Sequence, residues 1–188
     1  FDQDRLKLAK KLGVDFVFLP NNAIGEIQNI TSGFGADSVI ITAATQSNEP
    51  INQAMQVVRK KGIVVIVGAV GIKINRSPFY EKEVNLKISC SYGPGRYDEQ
   101  YEEKGIDYPY AYVRWTENRN MQNYLEMIDK KQIDFLTMVE REYIIDEAGN
   151  AYNHLKDSEH KPLAVLLKYP DKKSIDFSTL TTPLSFQP

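Results

Sequence analysis

A chain of 188 residues with 42% apolar residues can bury one substantial core, and Cys90, its only cysteine, leaves no partner for an internal disulfide. A net charge of −2 argues against a nucleic-acid partner, and the absence of a basic stripe and of a long apolar span argues against a membrane partner. With no signal-peptide pattern, the expected location is cytoplasmic.

The first predicted elements are two helices separated by a short strand. Asp2 lies at the positive end of a helix over residues 1–13, and basic residues lie at its negative end. The apolar run Asp15–Leu19 predicts a strand, and the spacing of the isoleucines predicts a helix over residues 23–31. This alternation predicts an α/β fold.

Residues 35–71 have the pattern of one complete βαβ unit. Ser38–Ala43 and Ile63–Val67 are short apolar runs rich in β-branched residues, as in strands covered on both faces. Between them a helix is predicted to start at residues 48–50 and to end at residues 60–62, with Gly62 in the left-handed conformation. The small residues that follow the second strand would let a flat ligand lie close to the backbone.

The remaining chain is predicted to contain a long loop between regular elements. Residues 72–83 are irregular, and Asn85–Tyr92 is predicted as a strand that buries the thiol of Cys90. Residues 96–119, rich in aromatic residues and arginine, have no regular period and are predicted as an inserted loop. Further elements are expected as a helix capped by Asn120, a strand at Met138–Ile145, a helix at Asp146–Leu155 and a strand at Leu163–Tyr169.

The two histidines do not form a metal site by their spacing. His154 and His160 are six residues apart, which does not place them on one helical face. We therefore expect two solvated surface histidines and no metal ligands in this chain.

Residues 1–15, 26–44 and 59–71 follow one another as in the nucleotide-binding domain of the medium-chain, zinc-type alcohol dehydrogenases, which they resemble. Residues 138–167 resemble the end of the same family. The resemblance implies an α/β fold with an incomplete, Rossmann-like, doubly wound parallel sheet that lacks its first two strands. It also implies a C-terminal remnant of the catalytic domain, so that the chain would be a fragment of an enzyme.

Domain boundaries follow from the same resemblance. They are a partial dinucleotide-binding domain at 1–118, a C-terminal segment of the catalytic domain at 119–170, and a linker at 171–188. In the family's strand order, 3-2-1-4-5-6, Asp15–Leu19 would lack its in-sheet neighbours. We therefore expect it to be displaced or to pair with another chain, while the three later strands stay parallel.

The family transfers a hydride between a nicotinamide cofactor and an alcohol or carbonyl substrate. The resemblance therefore implies NAD or NADP in the parent protein, and zinc whose ligands would lie outside this chain. No residue here is a predicted catalytic group, so the isolated chain is expected to be inactive. Two alternatives are a non-catalytic dimerisation or binding module of a two-domain protein and a zinc-free, quinone-reductase-like enzyme.

Cofactor-binding residues are carried over by resemblance to the ends of three strands. They are Thr42, Ala43, Ala44, Val67, Gly68, Ala69 and Ser91.

Two partners are implied in the same way. The family commonly dimerises by pairing its sixth strand across a two-fold axis, so a homodimer through Leu86–Tyr92 is expected. Residues 91–121 resemble a branch in which such a dehydrogenase is fused to a downstream oxidoreductase domain of the Gfo/Idh/MocA kind.

The insert leaves the predicted sheet at its ligand edge and carries Arg96, Arg114 and Arg119 among aromatic residues. Arginine makes two-pronged contacts to phosphate or carboxylate, and aromatic faces suit sugar rings or bases. These residues suggest an anionic, sugar-linked small-molecule substrate. The alternative is that the aromatic residues only pack a long loop onto the body.

Overall fold

The computed structural model describes residues 2–157 and 162–170. The predicted linker at 171–188, and His160, lie outside these described residues. The chain divides into two compact units, of which the first ends at Met121.

The first unit contains most of the regular structure. Its elements are α1 (Gln3–Lys11), α2 (Pro20–Ile30), β1 (Ala36–Ile41), α3 (Glu49–Val57), β2 (Val58–Ile66), α4 (Arg76–Glu81), β3 (Asn85–Ile88) and α5 (Glu99–Glu102). Helix α6 (Glu117–Asp129) begins in this unit.

The three strands of this unit form a parallel sheet in the order β1-β2-β3. Val64 on the central strand is opposite Val39 on one side and Leu86 on the other. The inner face of α3 covers the sheet with Ile51 and Met55, which are fully buried. Burial of each such side chain contributes roughly 1.5–3 kcal/mol to folding. The predicted α/β fold with three parallel strands is confirmed.

The end of α3 differs from the prediction. The helix ends at Val57 and β2 begins at the next residue, so Lys60 and Lys61 lie in a bulge of β2 and not at a helix end. Lys61, with φ of 59°, takes the left-handed conformation that was expected at Gly62. A side chain at Gly62 is disfavoured for a different reason, because a Cβ atom there would lie 2.5 Å from Cγ2 of Val58 and 3.0 Å from the carbonyl oxygen of Asp37.

Lys82 supplies the charge that closes α3. Its ammonium group donates to the carbonyl oxygens of Met55 at 3.1 Å and Val58 at 2.8 Å, and also to that of Gln56. These carbonyls are at the negative end of the helix dipole, where a cation is favourable. Burial lowers the pKa of Lys82 from its usual value. The capping residue therefore comes from a distant part of the sequence, beside β3.

Residues Asp15–Leu19 form no strand, which corrects that prediction, and the expectation that they leave the sheet is confirmed. Phe16 and Phe18 stack with ring centroids 6.1 Å apart, and the Lys10 ammonium lies 5.6 Å from the centre of the Phe16 ring. In the described sheet β1 is consequently an edge strand. A groove of about 540 Å³ runs between it and α2, with Ile27 on its wall.

Four further local predictions are corrected. Residues 72–83 include the helix α4, and β3 stops at Ile88, short of the predicted Tyr92. Cys90 is exposed and not buried. Helix α6 begins at Glu117, so Asn120 lies inside it; its side-chain amide donates to the carbonyl oxygen of Tyr92 at 2.9 Å.

The second unit has a small parallel sheet. Its strands are β4 (Val139–Ile144) and β5 (Ala164–Lys168), joined through α7 (Ala148–Lys156). Tyr143 is buried, and its hydroxyl lies 2.9 Å from Nδ1 of His154. The predicted strand, helix and strand of this region are confirmed with slightly shorter bounds. None of the helices in the described residues has both the length and the apolar character that a transmembrane helix needs.

Candidate functional site

The carboxyl ends of the three strands of the first unit lie side by side. The amides of Val67 and Gly68 both donate to the carbonyl oxygen of Ile41 at 2.9 Å, which joins the end of β2 to the end of β1. The amide of Ser89 donates to the carbonyl oxygen of Ile66 at 2.9 Å, which joins β3 to β2. Because parallel strands open a crevice at this edge, it is the expected ligand side of the fold.

Gly68 sits where two backbone segments touch. A Cβ atom on Gly68 would overlap the carbonyl oxygen of Ala43 and lie 2.7 Å from the carbonyl carbon of Thr42. No side chain fits between the two strand ends at this point, so the position requires glycine. The structure thus brings together the predicted residues Thr42, Ala43 and Gly68.

The backbone beyond Gly68 is only partly hydrogen-bonded. The carbonyl oxygen of Ala69 accepts from the amide of Thr45 at 2.8 Å. Among the described residues, the amides of Ala69 and Val70 have no acceptor. Ala44, Val67 and Ala69 are exposed at the surface. This edge, defined as residues 42–45 and 67–71 and called the strand-end edge below, therefore offers open amide donors beside small side chains.

Ser91 lies in a turn that follows β3. It has φ of 41°, and the amide of Gly93 closes the turn by donating to the carbonyl oxygen of Cys90 at 2.8 Å. Ser91 is exposed and follows Ser89, the last residue of this segment hydrogen-bonded to β2.

Two of the three arginines of the insert pair with carboxylates of the insert itself. Arg96 forms an ion pair with Glu102, and this hydrogen bond raises the pKa of Arg96 from its usual value. Arg119 forms an ion pair with Asp107 and also donates to the carbonyl oxygen of Val113 at 2.6 Å. Both guanidinium groups therefore hold the insert together.

Arg114 differs from the other two. Its guanidinium carbon lies 5.1 Å from the centre of the Trp115 ring and 5.8 Å from that of Tyr110. Among the described residues no carboxylate lies within ion-pair distance of it. Arg114 is thus a stacked cation whose hydrogen-bond donors are available to an external anion.

The interior of the insert is built by a polar cluster that the sequence did not reveal. Thr116 is fully buried, and its hydroxyl accepts from the hydroxyl of Tyr101 at 2.9 Å. Tyr101 stacks on Tyr108 with ring centroids 5.4 Å apart, and the Tyr108 hydroxyl donates to Asp98. That hydrogen bond, with one from the amide of Gln100, lowers the pKa of Asp98, and the same bond raises the pKa of Tyr108. The feature of the structure that points to this cluster is Thr116, which is the buried polar side chain among the described residues.

A metal centre has no candidate in the described part of the chain. No group of three or more histidine, cysteine, aspartate or glutamate side chains there could hold a metal ion. The donor set for a catalytic zinc is therefore not met by these residues.

Comparisons with known proteins agree on the fold. Sorbitol dehydrogenase of Halalkalibacterium halodurans is 27% identical over 163 residues, which are 84% of this chain and 40% of that protein. An oxidoreductase/dehydrogenase of unknown specificity from Escherichia coli superposes with a TM-score of 0.65 and 22% identity, over 90% of this chain and 42% of that one. Benzyl alcohol dehydrogenase from Acinetobacter calcoaceticus gives a TM-score of 0.62 and 16% identity, over 90% and 41%.

The chain thus spans about two fifths of the length of the relatives that it matches. The structural likenesses, at 16% to 22% identity, establish the Rossmann-like fold alone. The family itself is established by its sequence profile, described as zinc-binding dehydrogenase, which matches residues 2–107, more than half of the chain. This chain belongs to the zinc-binding dehydrogenase family.

Proposed function

We propose that the strand-end edge forms the nicotinamide side of a cofactor site in an oxidoreductase that transfers a hydride between NAD or NADP and an alcohol or carbonyl substrate. The observation that carries the proposal is the open backbone at this edge. The amides of Ala69 and Val70 lack an acceptor among the described residues, and Gly68 leaves no side chain between the strand ends. A planar carboxamide is the kind of group that such a surface binds.

Each part of the edge has one role in this proposal. Thr42, Ala43 and Ala44 form the wall at the end of β1, and Val67, Gly68 and Ala69 form the facing backbone. Ser91 bounds the edge at the end of β3. The bound nicotinamide supplies the hydride chemistry, and these residues orient it and exclude water.

Zinc carries no step of this proposal, because the described residues supply no ligand set for it.

The domain assignment is part of the proposal: 1–118 as a partial dinucleotide-binding domain, 119–170 as a segment of the catalytic domain. Because the described residues hold no zinc ligand set and the sequence contains no G-x-G-x-x-G turn of the kind that binds a cofactor pyrophosphate, we expect the isolated chain to show no dehydrogenase activity. Alcohol oxidation by the purified 188-residue chain would contradict this.

Hydrogen exchange tests the location of the cofactor. The full-length protein that contains this chain is titrated with NADH and with NADPH while amide exchange is followed. We expect one of the two nucleotides to slow exchange at Ala69 and Val70. Binding with no protection at either amide would remove the strand-end edge from the site. Binding of neither nucleotide would overturn the proposal and favour the non-catalytic module.

Arg114 is the substrate-side part of the proposal. All three arginines of the insert stack on aromatic rings, but Arg96 and Arg119 pair with carboxylates, whereas Arg114 has no carboxylate partner among the described residues. An anionic, sugar-linked substrate would therefore meet Arg114 first, with Arg96 and Arg119 holding the surface in shape. The fused downstream oxidoreductase domain stays a proposal that rests on the resemblance of residues 91–121 alone.

A homodimer through β3 is also proposed. In the described sheet β3 is an edge strand, and Ile88 on it is 71% exposed. Of the predicted segment Leu86–Tyr92 only Leu86–Ile88 is strand, so the paired edge would be short. Ile88→Lys should convert a dimer to a monomer in light scattering, while Ile30→Lys, at an exposed position on α2, should not. A dimer that persists in Ile88→Lys would place the contact elsewhere.

A further inference from the structure

The chain that follows β2 runs alongside the loop between β1 and α3. Backbone hydrogen bonds join residues 67–71 to residues 41–47, the last of them from the amide of Gly71 to the carbonyl oxygen of Ser47 at 3.0 Å. Beyond Gly71 this loop has ended and α3 begins. Side chains of α3 replace backbone groups as the partners from there on.

Two asparagines, one helical turn apart at the start of α3, hold this next stretch. The amide of Lys73 donates to Oδ1 of Asn48 at 2.9 Å. Nδ2 of Asn52 donates to the carbonyl oxygen of Lys73 at 3.0 Å, and Oδ1 of Asn52 accepts from the amide of Asn75 at 2.8 Å. All three bonds go to main-chain groups, so they fix the path of the backbone.

Gly71 shows how closely this path approaches Asn48. A Cβ atom on Gly71 would overlap Oδ1 of Asn48 and lie 2.9 Å from the carbonyl oxygen of Gln46. Both asparagines are only half-buried, so their side chains could turn to solvent if the backbone did not engage them. The backbone of residues 71–75 is thus held in contact with the start of α3.

We infer that Asn48 and Asn52 are positioning residues. By holding the backbone at residues 73–75 against the start of α3, they fix the position of the strand-end edge that precedes it. They contact residues 73–75 and act on Ala69 and Val70 through the backbone between, without touching a cofactor themselves. The inference rests on the proposed function, because it assigns to the pair the placing of the amides that would meet the nicotinamide. Fixed amides bind a planar group more tightly than amides that must first be ordered.

The two asparagines use their side-chain amide groups differently, so the same substitution by aspartate has a different expected effect at each position. Asn48 acts on Lys73 only as an acceptor, through Oδ1. Asn48→Asp therefore keeps that bond, and Asn48→Leu loses it. Asn52 uses Nδ2 to donate to the carbonyl oxygens of Lys73 and Asn48. Asn52→Asp places a carboxylate oxygen against these two carbonyls. It therefore breaks the clamp, the name used below for the three bonds that Asn48 and Asn52 make to the backbone of Lys73 and Asn75.

The test measures the Kd of NADH or NADPH in the full-length protein, together with amide exchange at residues 73 and 75. Asn48→Asp should bind within about twofold of the parent protein. Asn48→Leu, which loses one hydrogen bond, should lose about tenfold in affinity, and Asn52→Asp, which loses the two bonds from Nδ2, should lose at least as much. Exchange should accelerate at Lys73 in Asn48→Leu. In Asn52→Asp it should accelerate at Lys73 and Asn75, because repulsion from the carbonyl oxygens of Asn48 and Lys73 moves the new carboxylate off the backbone, although one of its oxygens could accept from the amide of Asn75. Gln56→Glu, the same chemical change at an exposed position of α3, is the matched control.

The outcomes separate the clamp from the proposed function. If Asn48→Leu and Asn52→Asp keep the parent Kd although exchange accelerates, the inference fails and the cofactor site stands. Equal losses in Asn48→Asp and Asn48→Leu would also overturn it. If the parent protein binds neither nucleotide, both fall. Should Asn52→Asp fail to fold, the contrast between Asn48→Asp and Asn48→Leu decides alone.

Discussion

The strand-end edge and the aromatic insert lie in the same compact unit but are built in opposite ways. The edge is held by backbone hydrogen bonds, and its side chains are small, so amide groups stay open at the surface. The insert is held by its side chains, and most of its polar groups are used within it. Small side chains can therefore leave backbone amides open to a ligand. In an aromatic, arginine-rich loop, by contrast, the side chains that could bind a ligand can instead stabilise the loop itself.

The largest effect on stability and cofactor affinity is expected at Gly68, where the strand-end edge has no space for a side chain. Gly68→Ala adds a methyl group that overlaps the carbonyl of Ala43, and overpacking of this kind costs about 1–3 kcal/mol. Because the two strand ends must separate, cofactor affinity should fall by about a hundredfold or more. Thermal unfolding and nucleotide titration of the full-length protein measure both.

Gly25→Ala is the matched control for this change. Gly25 lies inside α2, and a Cβ atom there would meet nothing within 4 Å. Alanine in a helix interior is favoured over glycine by roughly 0.5–1 kcal/mol, so this variant should be slightly more stable. Wild-type affinity in Gly68→Ala would show that the strand ends do not bound the site.

The second effect tests how the insert is held. Thr116→Val leaves the Tyr101 hydroxyl without its buried acceptor, which should cost about 1–3 kcal/mol of unfolding free energy. Tyr101→Phe should cost about 1 kcal/mol. The double variant should lose less than the sum of the two, because the two changes remove one shared bond. Tyr112→Phe, at a position 88% exposed, should be neutral, and additive losses would contradict the pairing.

These interior features mark the limit of what the sequence could predict. The βαβ unit followed from period and capping residues close together in the chain, and its parallel strands are confirmed. The end of α3 did not, because its cap, Lys82, lies 24 residues from Val58. Gly62 was correctly singled out but for a conformation that Lys61 adopts.

The site divides in the same way. Strand ends could be located from the pattern of small residues, so the meeting of Thr42, Ala43 and Gly68 was predictable. The clamp by Asn48 and Asn52 was not, since its partners lie 21 to 25 residues away and are backbone groups of a stretch without a pattern. Side-chain partners across such separations depend on the packed fold and leave no local signal.

A third, smaller effect tests whether the insert has a free group for function. Arg114→Ala should lower kcat/KM of the full-length enzyme for an anionic substrate by about tenfold, the effect of one charge-assisted bond. Arg76→Ala is the matched control, because Arg76 is also stacked on a tyrosine, Tyr80, at 4.6 Å. If Arg114→Ala and Arg76→Ala leave kcat/KM equally unchanged, the insert is structural and the anionic-substrate proposal is withdrawn.

The smallest effect concerns the pH dependence of the insert. Hydrogen bonds from Tyr108 and Gln100 hold the pKa of Asp98 below its usual value of 3.8, so this carboxylate stabilises the folded state above that value. The stabilisation is lost as pH falls through the lower pKa of the folded state. For Tyr108 the sign is reversed, because the bond to Asp98 raises its pKa above 10.0, and its contribution is lost as pH rises through the raised value.

Two variants isolate this pair from the other titrating groups. In Tyr108→Phe and in Asp98→Asn, the melting temperature should fall less on acidification below about pH 4 than in the parent protein, since the linked proton is no longer taken up. Above about pH 10, where the phenol ionises, both variants should lose less melting temperature than the parent, because Tyr108→Phe has no phenol and Asp98→Asn lacks the carboxylate that raises the pKa of Tyr108. Melting curves followed by circular dichroism across both ranges measure this. Parallel acid limbs in all three proteins would show that the Asp98 carboxylate contributes nothing to the insert, and that the stacked rings of Tyr101 and Tyr108 hold it without charge.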